Sequence, residues 1–150
     1  MTKTPSPPDL RVPGIKQVPP GSYLITGLPR IRSAWLAALL TTEYQPCYHE
    51  APTERMAPIA RREAFGLSDP GAACLYPVKA LSLFHDRTIV IIRRSANDSR
   101  RALEKFAGAK ATQWDEIERR YRFFSAHALD AIRLDFRDLD DYGAVAELYY

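Results

Sequence analysis

The chain reads as an α/β domain, a central, mainly parallel sheet with helices on both faces, and three observations predict this class. From residue 22 onward short apolar runs alternate with stretches of helical periodicity, the pattern of strands joined by crossover helices. The run Ser22–Leu40, SYLITGLPRIRSAWLAALL, passes from an apolar strand through a tight loop directly into an amphipathic helix. With 150 residues, 46% of them hydrophobic, there is enough apolar surface for one buried core.

Taken in order, residues 1–20 carry Pro5, Pro7, Pro8, Pro13, Pro19 and Pro20, a density that removes ladder donors and blocks helices. They are expected to form a disordered Pro-rich arm, leaving 21–150 as a single domain. The apolar run at about 22–27 predicts the first strand, and helical spacing predicts a helix over 32–42 with Trp35, Leu36, Leu39 and Leu40 in the core. A short strand at 45–49 and a helix at 54–65 follow. A short strand is expected at 72–75, a helix led by Pro77 over 77–84, and a buried strand over 88–92 that runs into Arg93 and Arg94. Helices are predicted over 96–107 and 111–127, then a strand at 131–136. Asp138, Asp140 and Asp141 supply an acidic start for a last helix from about 139.

Composition excludes several function classes. The net charge of +3 is too small for the clustered basic stripe that nucleic acid requires. Cys47 and Cys74 lie far apart without C-x-x-C spacing, so neither a disulfide framework nor a zinc site is expected. No apolar run approaches the roughly 18 to 20 residues of a membrane span, and the start lacks the apolar core of a signal peptide. A cytoplasmic protein without a metal is the expectation. The pairs Arg61-Arg62, Arg100-Arg101 and Arg119-Arg120 read as solvated helix faces.

The loop Gly27-Leu28-Pro29-Arg30 carries the chemistry. The first N–H groups of a helix lack intrahelical partners, and the helix dipole adds partial positive charge, so a strand, tight loop and helix start suits an anion. Arg30 and Arg32 reinforce that field. The loop is not a Walker A element, because no Gly-Lys pair follows Gly27 at the required distance.

The run T-G-L-P-R-x-R-S-A-W-L at Thr26–Leu36 resembles the 5′-phosphosulfate loop of the sulfotransferases, and most closely a bacterial and phage branch of sulfotransferase-like P-loop proteins. A second match lies at Arg87–Ser95 and the helix after it, where the family holds a 3′ phosphate. A third is Gly66–Pro77, which resembles the branch's G-x-S-D-x-G-x-A-L-x-P segment. Together they span roughly Ser22–Phe106. The resemblance implies a P-loop NTPase-like three-layer sandwich that binds 3′-phosphoadenosine-5′-phosphosulfate as sulfuryl donor. It places the 5′ phosphosulfate on Arg30 and Ser33, with Gly27, Pro29 and Arg32 of the same loop as further cofactor-binding candidates, and the 3′ phosphate on Arg93, with Ser99 or Arg101 standing in for the helix Ser that Ala102 replaces. Ile31 stands where the loop usually has Ser, Arg32 where most members have Gly, and Ala34 where they have a second Thr.

Sulfuryl transfer needs a base for the acceptor proton and cations for the charge on the sulfuryl and leaving oxygens. His49 and Glu50 end the second predicted strand, where strand termini face the ligand crevice of an open α/β sheet, and are the candidate bases. Ser68 and Asp69 are candidates for holding the acceptor, whose identity the sequence leaves open. Two other classes are expected to compete. A degenerate P-loop domain binding a nucleotide or a partner without chemistry fits Ile31 and Ala102. A small kinase fits less well, since the Lys-Ser/Thr pair and a Mg²⁺-holding Asp are missing.

Overall fold

A computed structural model describes residues 8–50 and 63–140. Strand β1 (Tyr23–Gly27) runs into α1 (Ser33–Leu40), followed by β2 (Cys47–His49) and β3 (Gly66–Ser68). A single helical turn, α2 (Gly71–Cys74), and α3 (Pro77–Leu83) lead to β4 (Thr88–Arg93). Helices α4 (Ala96–Ala107) and α5 (Trp114–His127) precede β5 (Ile132–Asp135) and a 3-10 turn, Phe136–Asp140.

All five strands are parallel, in the order β2-β3-β1-β4-β5. Parallel strands buried on both faces are rich in apolar residues rather than alternating, and β1 and β4 read that way, as YLITG and TIVIIR. One face of the sheet packs Ile25, Val90 and Ile92 against Leu36, Ala37 and Leu40 of α1 and Leu139 of the 3-10 turn. The other packs Leu24, Leu67 and Ile91 against Ala72, Ala73, Leu81, Phe84, Trp114 and Phe124. Helices therefore cover both faces, and the three-layer α/β expectation is met.

Local chemistry sets the helix ends. The Ser95 hydroxyl accepts from the Asp98 backbone N–H at 3.4 Å to open α4, and Gly108 closes it at a φ of 67°, a left-handed conformation that a side chain disfavours. Helix α5 carries Asp115 and Glu116 in its first turn, and Glu116 pairs with Arg119 and Arg120 one turn on.

Four expectations change. The third strand is Gly66–Ser68, whereas the segment expected as a strand at 72–75 forms α2. Gly is a poor strand former, but here a Cβ on Gly66 would stand 2.3 Å from the Tyr23 ring, so the close approach of that ring selects Gly. Asp69-Pro70 before two alanines then opens a helical turn. Residues 8–20 do not stand off as an arm. Val18 is fully buried in the core, its N–H donates to the Leu83 carbonyl at 2.9 Å, and the Val12 N–H donates to Ser82 Oγ at 2.8 Å. Trp35 is 41% exposed, because the buried positions of the short α1 are Ser33, Leu36, Ala37 and Leu40 and Trp35 falls off that stripe. The last helix expected from 139 is a 3-10 turn as far as Asp140. Most of the helix expected at 54–65, Arg61-Arg62 and the chain beyond 140 lie outside the described residues. Among the described residues no helix is long and apolar enough to cross a membrane.

Topology places the site. Neighbouring strands β1 and β3 send their following helices to opposite faces, α1 to one and α2 and α3 to the other. A crevice must then open between their C-terminal ends, the usual ligand position in an open α/β sheet.

Candidate functional site

The loop after β1 enters α1 through two left-handed residues, Arg30 at a φ of 67° and Arg32 at 62°. Such conformations cost a non-glycine residue energy and persist where the surroundings enforce them. Ile31, between them, is the anchor: its side chain is fully buried against Ile25, Leu36 and Ile92. The position where the resembling family carries a hydroxyl thus serves the core here. Gly27 is needed because a Cβ there would stand 2.5 Å from the Ile92 carbonyl. The Ser99 hydroxyl, fully buried, donates to the Pro29 carbonyl and fastens the loop to α4.

With the loop so held, a cleft of about 1190 Å³ opens at the strand ends. Arg30, Arg32 and Arg94 all line it. The Arg30 guanidinium lies 4.2 Å over the Phe106 ring, and those of Arg94 and Arg32 lie 4.2 and 5.1 Å over Phe136. Stacking orients the cations while leaving donors for an anion. Burial, aided by the charges of Arg30 and Arg32 and opposed by Asp98, pulls the Arg94 guanidinium below its ordinary pKa. Three like charges this close are favourable only beside negative charge, and Asp140, 2.6 Å from Arg32 Nη1, supplies part of it.

His49 and Glu50 line the same cleft. Ser33 Oγ and His49 Nε2 are 3.0 Å apart, and Glu50 Oε1 lies 3.2 Å from that same nitrogen. Hydroxyl, imidazole and carboxylate thus share one ring atom instead of forming a linear relay through both nitrogens. Asp69 closes the third side, only 5% exposed. Its carboxylate accepts from the Gly71 N–H at 2.7 Å and from the Tyr76 hydroxyl. Burial raises the Asp69 pKa against those two hydrogen bonds, with the Glu50 charge adding to the rise and His49 opposing it. Burial, and the Asp69 carboxylate beside it, push the Tyr76 hydroxyl up as well. Thr26 Oγ1 ties the two strand ends together, donating to the Asp69 carbonyl at 2.8 Å and accepting from the Ala73 N–H at 3.2 Å.

The structure therefore brings together Pro29, Arg30, Arg32, Ser33, His49, Glu50 and Asp69 from the expected set, while Gly27 ends β1 against Ile92 and Ile31 and supports the loop without lining the cleft. Four residues fall elsewhere. Arg93 points away, pairing at 3.2 Å with Asp135, its register partner on β5. Ser99 spends its hydroxyl on the loop carbonyl. Arg101 is exposed on α4 and absent from the cleft wall. Ser68 is fully buried in β3, and its hydroxyl has no hydrogen-bond partner among the described residues. Sequence reasoning missed Tyr76, Phe106 and Phe136 and gave Arg94 no fixed place. Its only signal was that Arg94 follows the strand's last residue and so turns with the loop. Among the described residues no three metal-ligating side chains cluster. No protein-family model matches the chain, and no curated protein matches it.

Proposed function

We propose that the cleft binds 3′-phosphoadenosine-5′-phosphosulfate by its phosphosulfate end and that the chain transfers the sulfuryl group to a hydroxyl or amine. The observation that supports this most is the convergence of Arg30, Arg32 and Arg94 at the start of α1, on a cleft that also holds His49 and Glu50. Phosphate contacts fall to Arg30, Arg32, Ser33 and the first N–H groups of α1, with Arg94 in the place that the resemblance gives to Arg93.

Transfer forms a bond from the acceptor oxygen to sulfur and breaks the bond from sulfur to the 5′-phosphate oxygen. The acceptor proton goes to His49 or Glu50, and the arginines balance charge on the departing bisphosphate. Asp69 holds the acceptor.

A second reading, a nucleotide-binding domain without transfer, is favoured by one feature: Arg32 is already held by Asp140 and the Ser33 hydroxyl by His49. Calorimetry with 3′-phosphoadenosine 5′-phosphate, ATP, GTP and AMP tests the site. Preference for the 3′-phosphorylated ligand is expected, and equal affinities overturn the phosphosulfate assignment. Incubation with the donor and a panel of alcohols, phenols and amines then separates the enzyme from the binder. Glu50→Gln or His49→Ala is expected to lower turnover by about 10²- to 10⁴-fold with donor affinity retained.

A further inference from the structure

We propose that the acceptor is an amine carried on an apolar body, bound as its ammonium by Asp69 and sulfated on nitrogen. The proposal rests on the sulfuryl-transfer reading of the cleft, but the binding half of its test needs no nucleotide.

Asp69 is a buried carboxylate without a countercharge. It lines the cleft and is only 5% exposed, yet its two donors, the Gly71 N–H and the Tyr76 hydroxyl, are both neutral. Among the described residues no lysine or arginine pairs with it. Glu50 adds a second negative charge nearby, and the opposing influence of His49 comes from a ring that Glu50 already holds. Buried charges are stable when paired, so the space that Asp69 faces favours a cation. Strand order keeps that cation apart from the donor's anion. Glu50 and Asp69 follow β2 and β3, Arg94 follows β4, and the β1 loop with Arg30 and Arg32 runs between them. The cleft is anionic at one end and cationic from the β1 loop onward.

Gly71 shows what the ammonium is attached to. A Cβ there would stand 2.9 Å from Asp69 Oδ1 and 3.4 Å from Leu75 Cδ1, so the bare glycine leaves a notch with a carboxylate oxygen on one side and a methyl group on the other. From Leu75, itself 61% exposed, the cleft wall continues through Leu103, Phe106 and Ile117. A hydrated metal ion would set its water against that methyl group, whereas an amine on an alkyl or aryl body matches both sides. At about 1190 Å³ the cleft exceeds the roughly 300–1000 Å³ of a pocket for one small ligand, which leaves room for an acceptor beside the donor.

An ammonium releases two protons on becoming a sulfamate, an alcohol only one on becoming a sulfate ester. Asp69, whose pKa burial raises, takes the first and frees the nitrogen lone pair. That pair bonds sulfur, the bond from sulfur to the 5′-phosphate oxygen breaks with its electrons leaving on the nucleoside bisphosphate, and the second proton passes to Glu50 or His49.

The test compares 2-phenylethylamine with 2-phenylethanol, one carbon body carrying either a cation or a neutral hydroxyl, by calorimetry on the full chain at neutral pH. The amine is expected to bind about tenfold or more tighter, the difference that a charge-assisted hydrogen bond makes over a neutral one. Asp69→Asn, which keeps the shape but not the charge, is expected to remove that difference. Gly71→Ala, whose methyl group fills the notch, is expected to weaken the amine by a similar factor. With 3′-phosphoadenosine-5′-phosphosulfate added, mass spectrometry is expected to find the sulfamate in excess over the sulfate ester. Calorimetry on 3′-phosphoadenosine 5′-phosphate runs alongside. Equal affinities for amine and alcohol, or tighter binding of the alcohol, in a protein that binds the nucleotide overturn the amine acceptor and leave the proposed function standing. An amine preference that persists in Asp69→Asn overturns the role of Asp69, and unchanged amine affinity in Gly71→Ala overturns the notch. An amine preference lost in Asp69→Asn, in a protein that binds no nucleotide, supports the ammonium site and overturns the phosphosulfate donor.

Discussion

The Arg94 guanidinium donates from Nη1 to the Arg30 carbonyl oxygen at 2.6 Å, across sixty-four residues of chain. The end of β4 thus grips the loop after β1, and a neighbouring position, Arg93, faces the other way toward Asp135.

This division predicts opposite outcomes for two adjacent arginines. Arg94→Ala is expected to weaken 3′-phosphoadenosine 5′-phosphate about tenfold or more, since a charge-assisted hydrogen bond contributes about 1.5–3 kcal/mol. Arg93→Ala is expected to leave affinity unchanged, because it loses only a solvent-exposed ion pair. Calorimetric titration of both variants decides it. A larger loss in Arg93→Ala would place the nucleotide outside the cleft.

Asp69 and Tyr76 make stability depend on pH. Burial raises the Asp69 pKa above its ordinary 3.8, so its protonated form is favoured in the folded state, and that stabilising contribution is lost as pH rises through the folded pKa. The Tyr76 hydroxyl opposes the rise by bonding the carboxylate. Tyr76→Phe is therefore expected to cost about 1–3 kcal/mol at neutral pH and less at acid pH, where Asp69 carries its proton. Urea denaturation at the two pH values is the measurement. Equal losses would show that the hydroxyl does not distinguish the two charge states.

Gly27→Ala puts a methyl group 2.5 Å from the Ile92 carbonyl, a backbone atom that cannot turn aside. Separating β1 from β4 is expected to cost about 1–3 kcal/mol. A shifted urea midpoint with an unchanged slope is the expected result, and a midpoint equal to wild type would mean that the two strands separate freely at this point.

Ser99→Ala removes the donor from the Pro29 carbonyl in a partly buried position. The expected cost is about 1–3 kcal/mol in stability, together with weaker nucleotide binding from a loosened loop. Retained affinity at reduced stability would restrict Ser99 to packing.

Most of the fold was legible because periodicity is a local property. The strand, loop and helix over Tyr23–Leu40 follow from apolar spacing, and so do β4, α3, α4 and α5 to within a few residues. β3 was not, because Gly66 is chosen by the Tyr23 ring, a contact forty-three residues away that no local pattern records. The same holds for Val18, whose burial depends on the Leu83 carbonyl it meets.

At the site, the sequence by itself determined the loop with Arg30, Arg32 and Ser33 and the strand-end position of His49 and Glu50, since each follows from a motif read within a few residues. Only the tertiary structure decided which groups meet. Register on β5 gave Arg93 a carboxylate partner and left Arg94 to the cleft, and the approach of β2 to α1 set His49 3.0 Å from Ser33. Ile31 packs into the core from the loop, and Ser99 reaches the Pro29 carbonyl from α4, contacts that depend on how the loop and the helix come together. Parallel strands join only through long crossovers, so the residues that share their C-terminal edge come from distant parts of the chain, and their pairing is a property of strand order and register alone.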